Sequence, residues 1–515
     1  MTPLTEDIRT MTVTAPQPTA PRAPGTVAGR ARGKLATVWA PPVVALVLGL
    51  WGITGPSAWT DEIVTIDVAR RSWPELGQLL GHVDAVHGLH YVLLHLVDQV
   101  TGLGEFTARV PSALAVAGAA AGLAWLGRLL GGPRLGLCAG LLLAVLPTAS
   151  RYAQEARSFA FVMVVAVLAT GALVKSLSGE GRGRWPLAYA ALIALLGWFN
   201  LLGLLLVPAH VVTVALRRPG RRVVMRLLLA QVAGLTAVVP LLLVAAAQSA
   251  AVGEAAPVTA GTPLNYFTWL LTPGQGTLPT ALKLLLTATA VAALTLLVVR
   301  RHKAPPLALA VGVPWLVVPP LLLAAGSLGH PLFAYRYLLF CLPALALLLA
   351  TAATVLAPRQ QLVFALLPAV PLAASHLAIR QEDSRPWDTH AVIRTLRIHE
   401  APGDAILFSG ARCGLIATAF KEAFTGHPDL GTDRTAAGLG ALDNLPADPA
   451  LLQQRLAHTT RVWHISCTHL SAAAREAADR TAAAQEQTLA HAGFTPVDHY
   501  RANGVDIELD ERPDA

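Results

Sequence analysis

Charged residues are scarce in this sequence of 515 residues: only 14% are Asp, Glu, Lys or Arg, whereas 54% are hydrophobic. This composition, with a mean hydropathy of +0.54, excludes an ordinary soluble protein, in which about a quarter of the residues are charged. Acidic residues are fewer than basic ones, which gives a net charge of +8. The arginines concentrate between apolar runs, as in the loops of a membrane protein, so no nucleic-acid partner is expected. The composition therefore predicts a polytopic membrane protein.

Long apolar runs recur along the chain. A helix needs about 20 mostly apolar residues to span the hydrocarbon core, where no water satisfies backbone groups. Candidate spans lie near residues 35–54, 110–130, 135–150, 158–176, 186–198, 200–216, 223–247, 280–299, 305–326, 338–357 and 361–379. The segment near 85–100 contains several His and Asp residues and is too polar for lipid, so we expect it on the membrane surface. The pattern predicts about eleven transmembrane helices and a mainly α-helical fold.

Basic clusters between the runs predict the topology. The stretches "GRLLGGPR", "KSLSGEGRGR", "RRPGRR" and "RRHK" are short and basic, as cytoplasmic loops tend to be. Their alternation places the N-terminus in the cytoplasm and the C-terminus outside, and requires 186–216 to cross twice with a tight turn at "GWFN". Residues 1–34 are then expected to form a disordered, basic cytoplasmic tail. The first run, near 35–54, is either an uncleaved anchor or a signal peptide.

The composition changes to that of a soluble domain after about residue 380. The stretches "DAILFSG", "RVWHIS" and "VDIELDE" predict strands, and "AAAREAADRTAAAQEQTLAHAG" predicts a helix that ends at a glycine. We therefore expect a transmembrane domain over 35–379 and a small extracytoplasmic α/β domain over 380–515. Cys413 and Cys467 both fall in the second domain, where an oxidising setting would allow a disulfide.

The stretch "AWTDEIVTIDVARR" places two adjacent carboxylates, Asp61 and Glu62, directly after the first apolar run. A helix turns by about 100° per residue, so the two side chains cannot point the same way. One of them is expected to face a cavity while the other caps or pairs. The spacing also predicts an amphipathic helix on the membrane surface, in which the acids would simply favour the helix dipole.

The stretch "WTDEIVTIDVARRSWPELGQLLGHVDAVHGLHYVLLHLVDQVTG", followed by "ARVPSALA" and "RYAQEARSFAF", resembles the bacterial protein O-mannosyltransferase-like glycosyltransferases of family 39 type. The resemblance covers roughly residues 51–356. It implies a GT-C fold and a cell-membrane enzyme that transfers a sugar from a polyprenyl phosphate to an extracytoplasmic acceptor. It also favours an anchor for the first run, because the acidic motif follows that helix directly. Many relatives have "HPPLYY" where this chain has "HGLHYVLLHL", so no role is carried over to His90.

The resemblance implies roles for the acid pair and for two arginines. Asp61 is expected to be the general base for the acceptor hydroxyl, with Glu62 as the alternative base or an orienting partner. Arg336, in "FAYRYLLF", is expected to bind the donor phosphate, because its planar guanidinium contacts two oxygens and stays charged. Arg109, in "ARVPS", is the second candidate phosphate ligand. An interfacial anchor within an aromatic belt is the other explanation for Arg336.

The segment "RYAQEARSFAF" supplies further candidates. Its spacing predicts that Arg151, Gln154 and Glu155 share one helical face. The resemblance implies that they lie beside the active site or face the acceptor, together with Asp84 and His87. A purely structural pair of Arg151 and Glu155 remains the other explanation.

No cofactor is certain, although Asp84, His87 and His90 at intervals of three leave a divalent metal open. Such residues also mark the wet face of an interfacial helix.

The sequence as a whole predicts a hexosyltransferase, with mannose favoured, whose partners are the lipid bilayer, the polyprenyl-phosphate donor and a protein, lipid or glycan acceptor. A transporter would instead show charges or broken helices near mid-membrane and matching halves. A non-catalytic scaffold would need no acid pair beside an arginine.

Overall fold

The computed structural model describes residues 27–513, apart from 180–182, 249–256, 274–277, 330–331, 411 and 469–471. The predicted tail over 1–34 lies mostly outside these described residues. The membrane part consists of α1 (Val27–Leu50), α2 (Thr60–Ala69), α3 (Trp73–His82), α4 (Gly88–Thr101), α5 (Glu105–Gly131), α6 (Pro133–Val145), α7 (Pro147–Ala153), α8 (Phe159–Leu177), α9 (Arg184–Phe199), α10 (Leu206–Arg217), α11 (Arg221–Thr236), α12 (Val239–Ala247), α13 (Thr262–Leu271), α14 (Thr280–Val299), α15 (Pro306–Gly326), α16 (Leu342–Val355), α17 (Pro358–Leu366) and α18 (Ala369–Ala378).

Several of these helices are able to cross a membrane. In the described part of the chain, six segments are long and apolar enough on their own: α5, α8, α14, α15, Tyr335–Val355 and Pro358–Ala378. Two bent pairs, α6 with α7 and α11 with α12, turn by 62° and 41° and each suit one further span. The chain is therefore a multi-pass membrane protein, as predicted. The total of about eleven stays a prediction, because it requires three shorter apolar helices, Val38–Leu50, Arg184–Phe199 and Leu201–Arg217, to cross as well.

Helix α5 lies at the centre of the membrane part, where it packs against α1, α6 and α8. Its buried residues are mostly Ala, Gly and Leu. Small residues let helix backbones approach closely, which promotes helix association in membranes. Gly136 of α6 shows how tight this contact is, because a Cβ there would lie 2.3 Å from the carbonyl oxygen of Ala124 in α5. The packing holds the N-terminal end of α5, which carries Arg109, beside α2.

The C-terminal part is an α/β domain. Its elements are α19 (Thr389–His399), β1 (Ala405–Ser409), α20 (Leu415–Ala419), β2 (Thr432–Arg434), α21 (Ala436–Leu439), β3 (Leu445–Pro446), α22 (Pro449–Leu456), β4 (Arg461–Cys467), α23 (Ala472–His491), β5 (Thr495–Ala502) and β6 (Val505–Glu511). The main sheet has the order β1-β4-β6-β5, with β1 parallel to β4 and the other pairs antiparallel. The strands predicted at β1, β4 and β6 and the helix predicted at α23 are all present. Cys413 and Cys467 form a disulfide.

The two parts pack together over α2. The spacing of α2 predicts a helix on the membrane surface with one face in water. The structure differs from this prediction, because all residues from Glu62 to Ala69 are buried. The reason is that α20 packs against α2, and Arg70 donates a hydrogen bond to the carbonyl oxygen of Ala419 at 2.8 Å. The hydroxyl of Ser57 also donates to Asp388 at 2.7 Å. The C-terminal domain thus covers the helix that carries the acid pair.

Candidate active site

The acid pair occupies the first turn of α2 (Thr60–Ala69), which begins ten residues after α1 ends at Leu50. Neighbouring helix residues point about 100° apart, and the structure separates the two side chains accordingly. The side chain of Asp61 is 23% exposed, whereas that of Glu62 is 1% exposed. The two carboxylates therefore have different surroundings and suit different tasks.

Glu62 forms an ion pair inside the protein. Its carboxylate accepts hydrogen bonds from Nε and Nη2 of Arg109, at 2.8 and 2.9 Å, and from the backbone N–H of Ala156 at 2.9 Å. Arg109 is equally buried and donates from Nη1 to the carbonyl oxygens of Ile53 and Pro56. Both side chains thus use their polar atoms on one another and on the backbone. This placement favours a structural role for the pair over the base and phosphate-binding roles predicted from the sequence.

Asp61 faces two guanidinium groups. Its Oδ2 lies 3.4 Å from Nη1 of Arg336 and 3.9 Å from Nη2 of Arg157, yet this buried oxygen has no hydrogen-bond partner among the described residues. Arg336 lies over the rings of Trp59 and Tyr337, at 5.7 and 5.6 Å from their centroids, and its side chain is 35% exposed. A partly exposed carboxylate with an unbonded oxygen can accept a proton while an accessible arginine beside it binds an anion.

Arg157 connects Asp61 to a second polar group. Its Nη2 lies 3.2 Å from Nε2 of His87, and His87 lies 3.8 Å from the carboxylate of Asp84. That carboxylate accepts a hydrogen bond from the hydroxyl of Tyr91. Burial lowers the pKa of His87 to about 3, so the ring is neutral at neutral pH and can accept a hydrogen bond from Arg157. Burial raises the pKa of Asp84. The structure therefore brings Asp84 and His87 together with Asp61.

The segment "RYAQEARS" leaves the helix sooner than its spacing predicts. Helix α7 ends at Ala153, and residues 154–158 form turns and bends rather than a helical face. Gln154 is buried and donates from Nε2 to the carbonyl oxygens of Gly49 and Trp51, at 3.1 and 2.7 Å. Its side chain therefore ties this turn to the end of α1.

Arg151 and Glu155 stay close across the same turn, with 3.5 Å between Nη2 and the carboxylate. Glu155 is 1% exposed, and neither of its carboxylate oxygens has a hydrogen-bond partner among the described residues. Burial raises the pKa of Glu155 to about 7. This carboxyl group therefore changes charge near neutral pH.

A cationic cavity adjoins Arg151. Its polar lining consists of three cations and three hydroxyl groups, from Arg151, Lys283, Arg385, Thr272, Ser375 and Ser384. Arg385 is 1% exposed, and none of its three guanidinium nitrogens has a hydrogen-bond partner in the described part of the chain. An unpaired buried charge is energetically costly. The cavity is therefore suited to an anion such as phosphate.

Sequence reasoning does not single out Arg157, Lys283 or Arg385. The signal for Arg157 is its place in the motif "RYAQEARS", two residues after Glu155. Lys283 lies near the start of α14 and Arg385 in the linker after α18. Only the packing of these distant segments brings the two cations to one cavity.

Arg412 of the C-terminal domain is a further cation on which the site carboxylates act. Its Nε donates to Asp443 at 2.8 Å, and the next residue along the chain forms the disulfide to β4. Burial lowers the pKa of Arg412, but the carboxylates of Asp443, Asp61 and Asp84 outweigh burial and raise it. Arg412 therefore lies within electrostatic reach of the acid that faces the site.

The metal site that the sequence leaves open does not form from Asp84, His87 and His90. Their ligand atoms are not among the converging groups of described residues, and Asp84 and His87 instead contact Tyr91 and Arg157. In the described part of the chain, one group of three metal-binding side chains does converge, and it lies on the sheet of the C-terminal domain.

No protein-family model matches this chain, and no curated protein matches it significantly. Among solved structures, it is similar to ArnT from Cupriavidus metallidurans in the apo state, with a TM-score of 0.60 and 14% identity over 93% of this chain and 98% of ArnT. ArnT bound to undecaprenyl phosphate matches with a TM-score of 0.58 and 14% identity, over 94% and 98% of the two chains. The oligosaccharyltransferase AglB from Archaeoglobus fulgidus matches at 0.46 and 10%, over 94% and 75%. The likeness to ArnT shows that this chain has the GT-C membrane fold that its motifs predict.

Proposed function

We propose that this protein transfers a sugar, mannose in the first instance, from a polyprenyl-phosphate donor to an acceptor outside the cytoplasmic membrane. One observation carries the proposal: a carboxylate oxygen of Asp61 without a hydrogen-bond partner among the described residues lies 3.4 Å from Arg336 and 3.9 Å from Arg157. The shared fold supports it, because one structure of ArnT contains undecaprenyl phosphate. Mannose is favoured by the sequence resemblance alone.

The transfer is a direct displacement at the anomeric carbon. The acceptor hydroxyl attacks this carbon while Asp61 takes the hydroxyl proton, and the bond between carbon and phosphate oxygen breaks. The polyprenyl phosphate leaves with the electron pair, and Arg336 stabilises the negative charge that develops on it. The configuration at the anomeric carbon is inverted. General base catalysis of this kind contributes about 10²- to 10⁴-fold to the rate.

Arg336 has two anionic partners in this scheme. It lies 3.4 Å from Asp61, and the donor phosphate would compete for the same guanidinium. Donor binding would thus free the carboxylate for the acceptor, since an aspartate released from a cation is a stronger base. The cationic cavity around Arg385 offers a further anion-binding element beside Arg151.

Other residues of the site position these groups. We propose that Glu62 and Arg109 hold the first turn of α2 against α5, which keeps Asp61 in place. Asp84 and His87 orient Arg157 from the other side and border the acceptor. Arg412 of the C-terminal domain contributes to acceptor choice, because it lies within electrostatic reach of Asp61 and Asp84.

The proposed chemistry requires a particular topology. The lipid-linked donor and the acceptor must meet on the extracytoplasmic side, so we propose that the N-terminus is cytoplasmic and that the domain over 380–515 is extracytoplasmic. The short basic stretches between predicted spans support this orientation. The disulfide between Cys413 and Cys467 is compatible with an oxidising compartment.

Transfer of radiolabelled sugar from undecaprenyl-phosphate-mannose tests the proposal. Membranes containing the wild type, Asp61→Asn or Glu75→Gln are compared at equal protein. Asp61→Asn keeps the shape of the side chain and removes the base, so sugar release should fall about 10²-fold or more. Glu75→Gln is the matched control, because Glu75 is a partly exposed acid of α3 that accepts hydrogen bonds from Ser72 and is not among the residues of the site.

The possible outcomes test the enzyme class and the identity of the base separately. Release by the wild type and by Glu75→Gln but not by folded Asp61→Asn would support both the enzyme class and the base. Equal release by the wild type and Asp61→Asn would refute the role of Asp61. No release by the wild type would refute mannose as the donor sugar.

A further inference from the structure

The main sheet of the C-terminal domain has a polar group on the face that packs under α23. Val462 of β4 and Leu407 of β1 pack on this face with Leu489 of α23. Side chains alternate along a strand, so His464 of β4 points to the same side as Val462. On β6, Glu508 is paired with His464 and Asp510 with Val462, which puts both acids on this face as well.

The three polar side chains converge. One ring nitrogen of His464 and one carboxylate oxygen each of Glu508 and Asp510 lie within 4.8 Å of one another. His464 is 6% exposed and Asp510 is 4% exposed. The buried Oδ2 of Asp510 has no hydrogen-bond partner among the described residues. Two ionised carboxylates brought this close repel one another, and a cation between them removes the repulsion.

Hydrogen bonds around His464 determine which of its nitrogens is free. The side-chain nitrogen of Gln485 donates to the carbonyl oxygen of Phe408 at 3.1 Å, which leaves its oxygen facing Ser409. The hydroxyl of Ser409 donates to that oxygen at 2.6 Å, so the hydroxyl oxygen must accept from Nε2 of His464. His464 is therefore protonated on Nε2, and Nδ1 keeps the lone pair that a metal needs. Metal-binding histidines are commonly oriented in this way by a partner on the second nitrogen.

We propose that His464, Glu508 and Asp510 bind a divalent transition metal, Zn²⁺ in the first instance, through Nδ1 of the imidazole and one oxygen of each carboxylate. Imidazole with carboxylates is a ligand set that Zn²⁺ and Mn²⁺ both accept, and three protein ligands leave a position for water. The metal joins β4 to β6 and neutralises the two acids beneath α23. The proposed site is separate from the chemistry of Asp61.

Metal content tests this site on the full-length protein, independently of any transferase activity. The purified protein in detergent is stripped with EDTA, dialysed against ZnCl₂ or MnCl₂, and analysed by plasma mass spectrometry. We expect about one Zn²⁺ per chain in the wild type and an increase of its thermal midpoint on adding ZnCl₂. Asp510→Asn should weaken Zn²⁺ binding about tenfold or more, because it removes the charge of a ligand while keeping its shape.

Asp506→Asn is the matched control. Asp506 lies two residues before Glu508 on β6 and contacts Arg501 and His499 instead, so this variant should bind Zn²⁺ as the wild type does. Glu508→Gln is a second test, because Glu508 is the least buried of the three ligands and its substitution threatens folding least. Equal Zn²⁺ content in the wild type, Asp510→Asn and Glu508→Gln would overturn the proposal, as would a wild type that retains neither Zn²⁺ nor Mn²⁺.

Discussion

Replacing Glu62 by glutamine should destabilise the protein strongly, although it changes one atom. The carboxylate of Glu62 accepts three hydrogen bonds, two from Arg109 and one from the backbone N–H of Ala156. Glutamine keeps one acceptor oxygen and turns an NH₂ group toward donors. Arg109, which is 1% exposed, then loses its close anionic partner and keeps Glu105, at 4.0 Å, as a more distant one. Breaking one partner of a buried ion pair costs about 3–5 kcal/mol, so we expect a loss of that size in the free energy of unfolding.

The neighbouring substitution provides the contrast. Asp61→Asn affects a side chain that is 23% exposed, and partly exposed ion pairs contribute about 0–1 kcal/mol. Thermal midpoints from intrinsic tryptophan fluorescence, together with the monodisperse fraction on size exclusion, measure both variants in the same detergent. We expect Glu62→Gln to unfold well below the wild type and Asp61→Asn to unfold close to it. A Glu62→Gln variant that keeps the wild-type midpoint but loses sugar transfer, beside an active Asp61→Asn, would make Glu62 the base and refute this reasoning.

Three further predictions concern charged groups around the site. Burial raises the pKa of Glu155 to about 7 from an ordinary 4.5. Between these pH values the folded state keeps a proton that the unfolded state has lost, so the stability of the wild type should fall as the pH rises from 4.5 to 7. Thermal midpoints measured from pH 4 to 8 should fall in the wild type but not in Glu155→Gln. Wild-type and variant midpoints that change in parallel with pH would contradict this prediction. The hydrogen bond to Glu105 raises the pKa of His390, so its contribution to stability is present below pH 6.5 and lost as pH rises through the raised pKa. Limited proteolysis should show this loss in the wild type but not in His390→Gln, and an identical pH dependence in both would exclude it. Inorganic phosphate should raise the midpoint of the wild type but not of Arg385→Met, because the buried guanidinium lacks a partner; an equal response of both would argue against anion binding in the cavity.

The membrane helices are predictable from the sequence because lipid imposes a length and a composition on every span. The runs near 110–130, 158–176, 280–299 and 305–326 coincide with α5, α8, α14 and α15 for this reason. The buried strands β1 and β4 are predictable from their apolar residues in the same way. In contrast, β5 is an edge strand with mostly exposed residues, so it lacks the apolar alternation by which a strand is recognised.

Part of the candidate site is also visible in the sequence. The adjacent acids and the motif "RYAQEARS" are contiguous, so their presence and order are evident without a structure. The spacing misleads after Ala153, where the backbone leaves the helix and Gln154 bonds to carbonyl oxygens of α1. Tertiary contacts of this kind override what local spacing predicts.

The sequence by itself determined that Asp61 and Glu62 point in different directions, because the turn of a helix separates neighbouring side chains by about 100°. Only the tertiary structure decided which of the two side chains stays partly exposed. Arg109, 47 residues further along the chain, binds Glu62 in the interior, while Arg336 and Arg157 approach Asp61 from two other segments. Chain geometry sets the spacing of neighbours, whereas the partner of each charge depends on how distant helices pack.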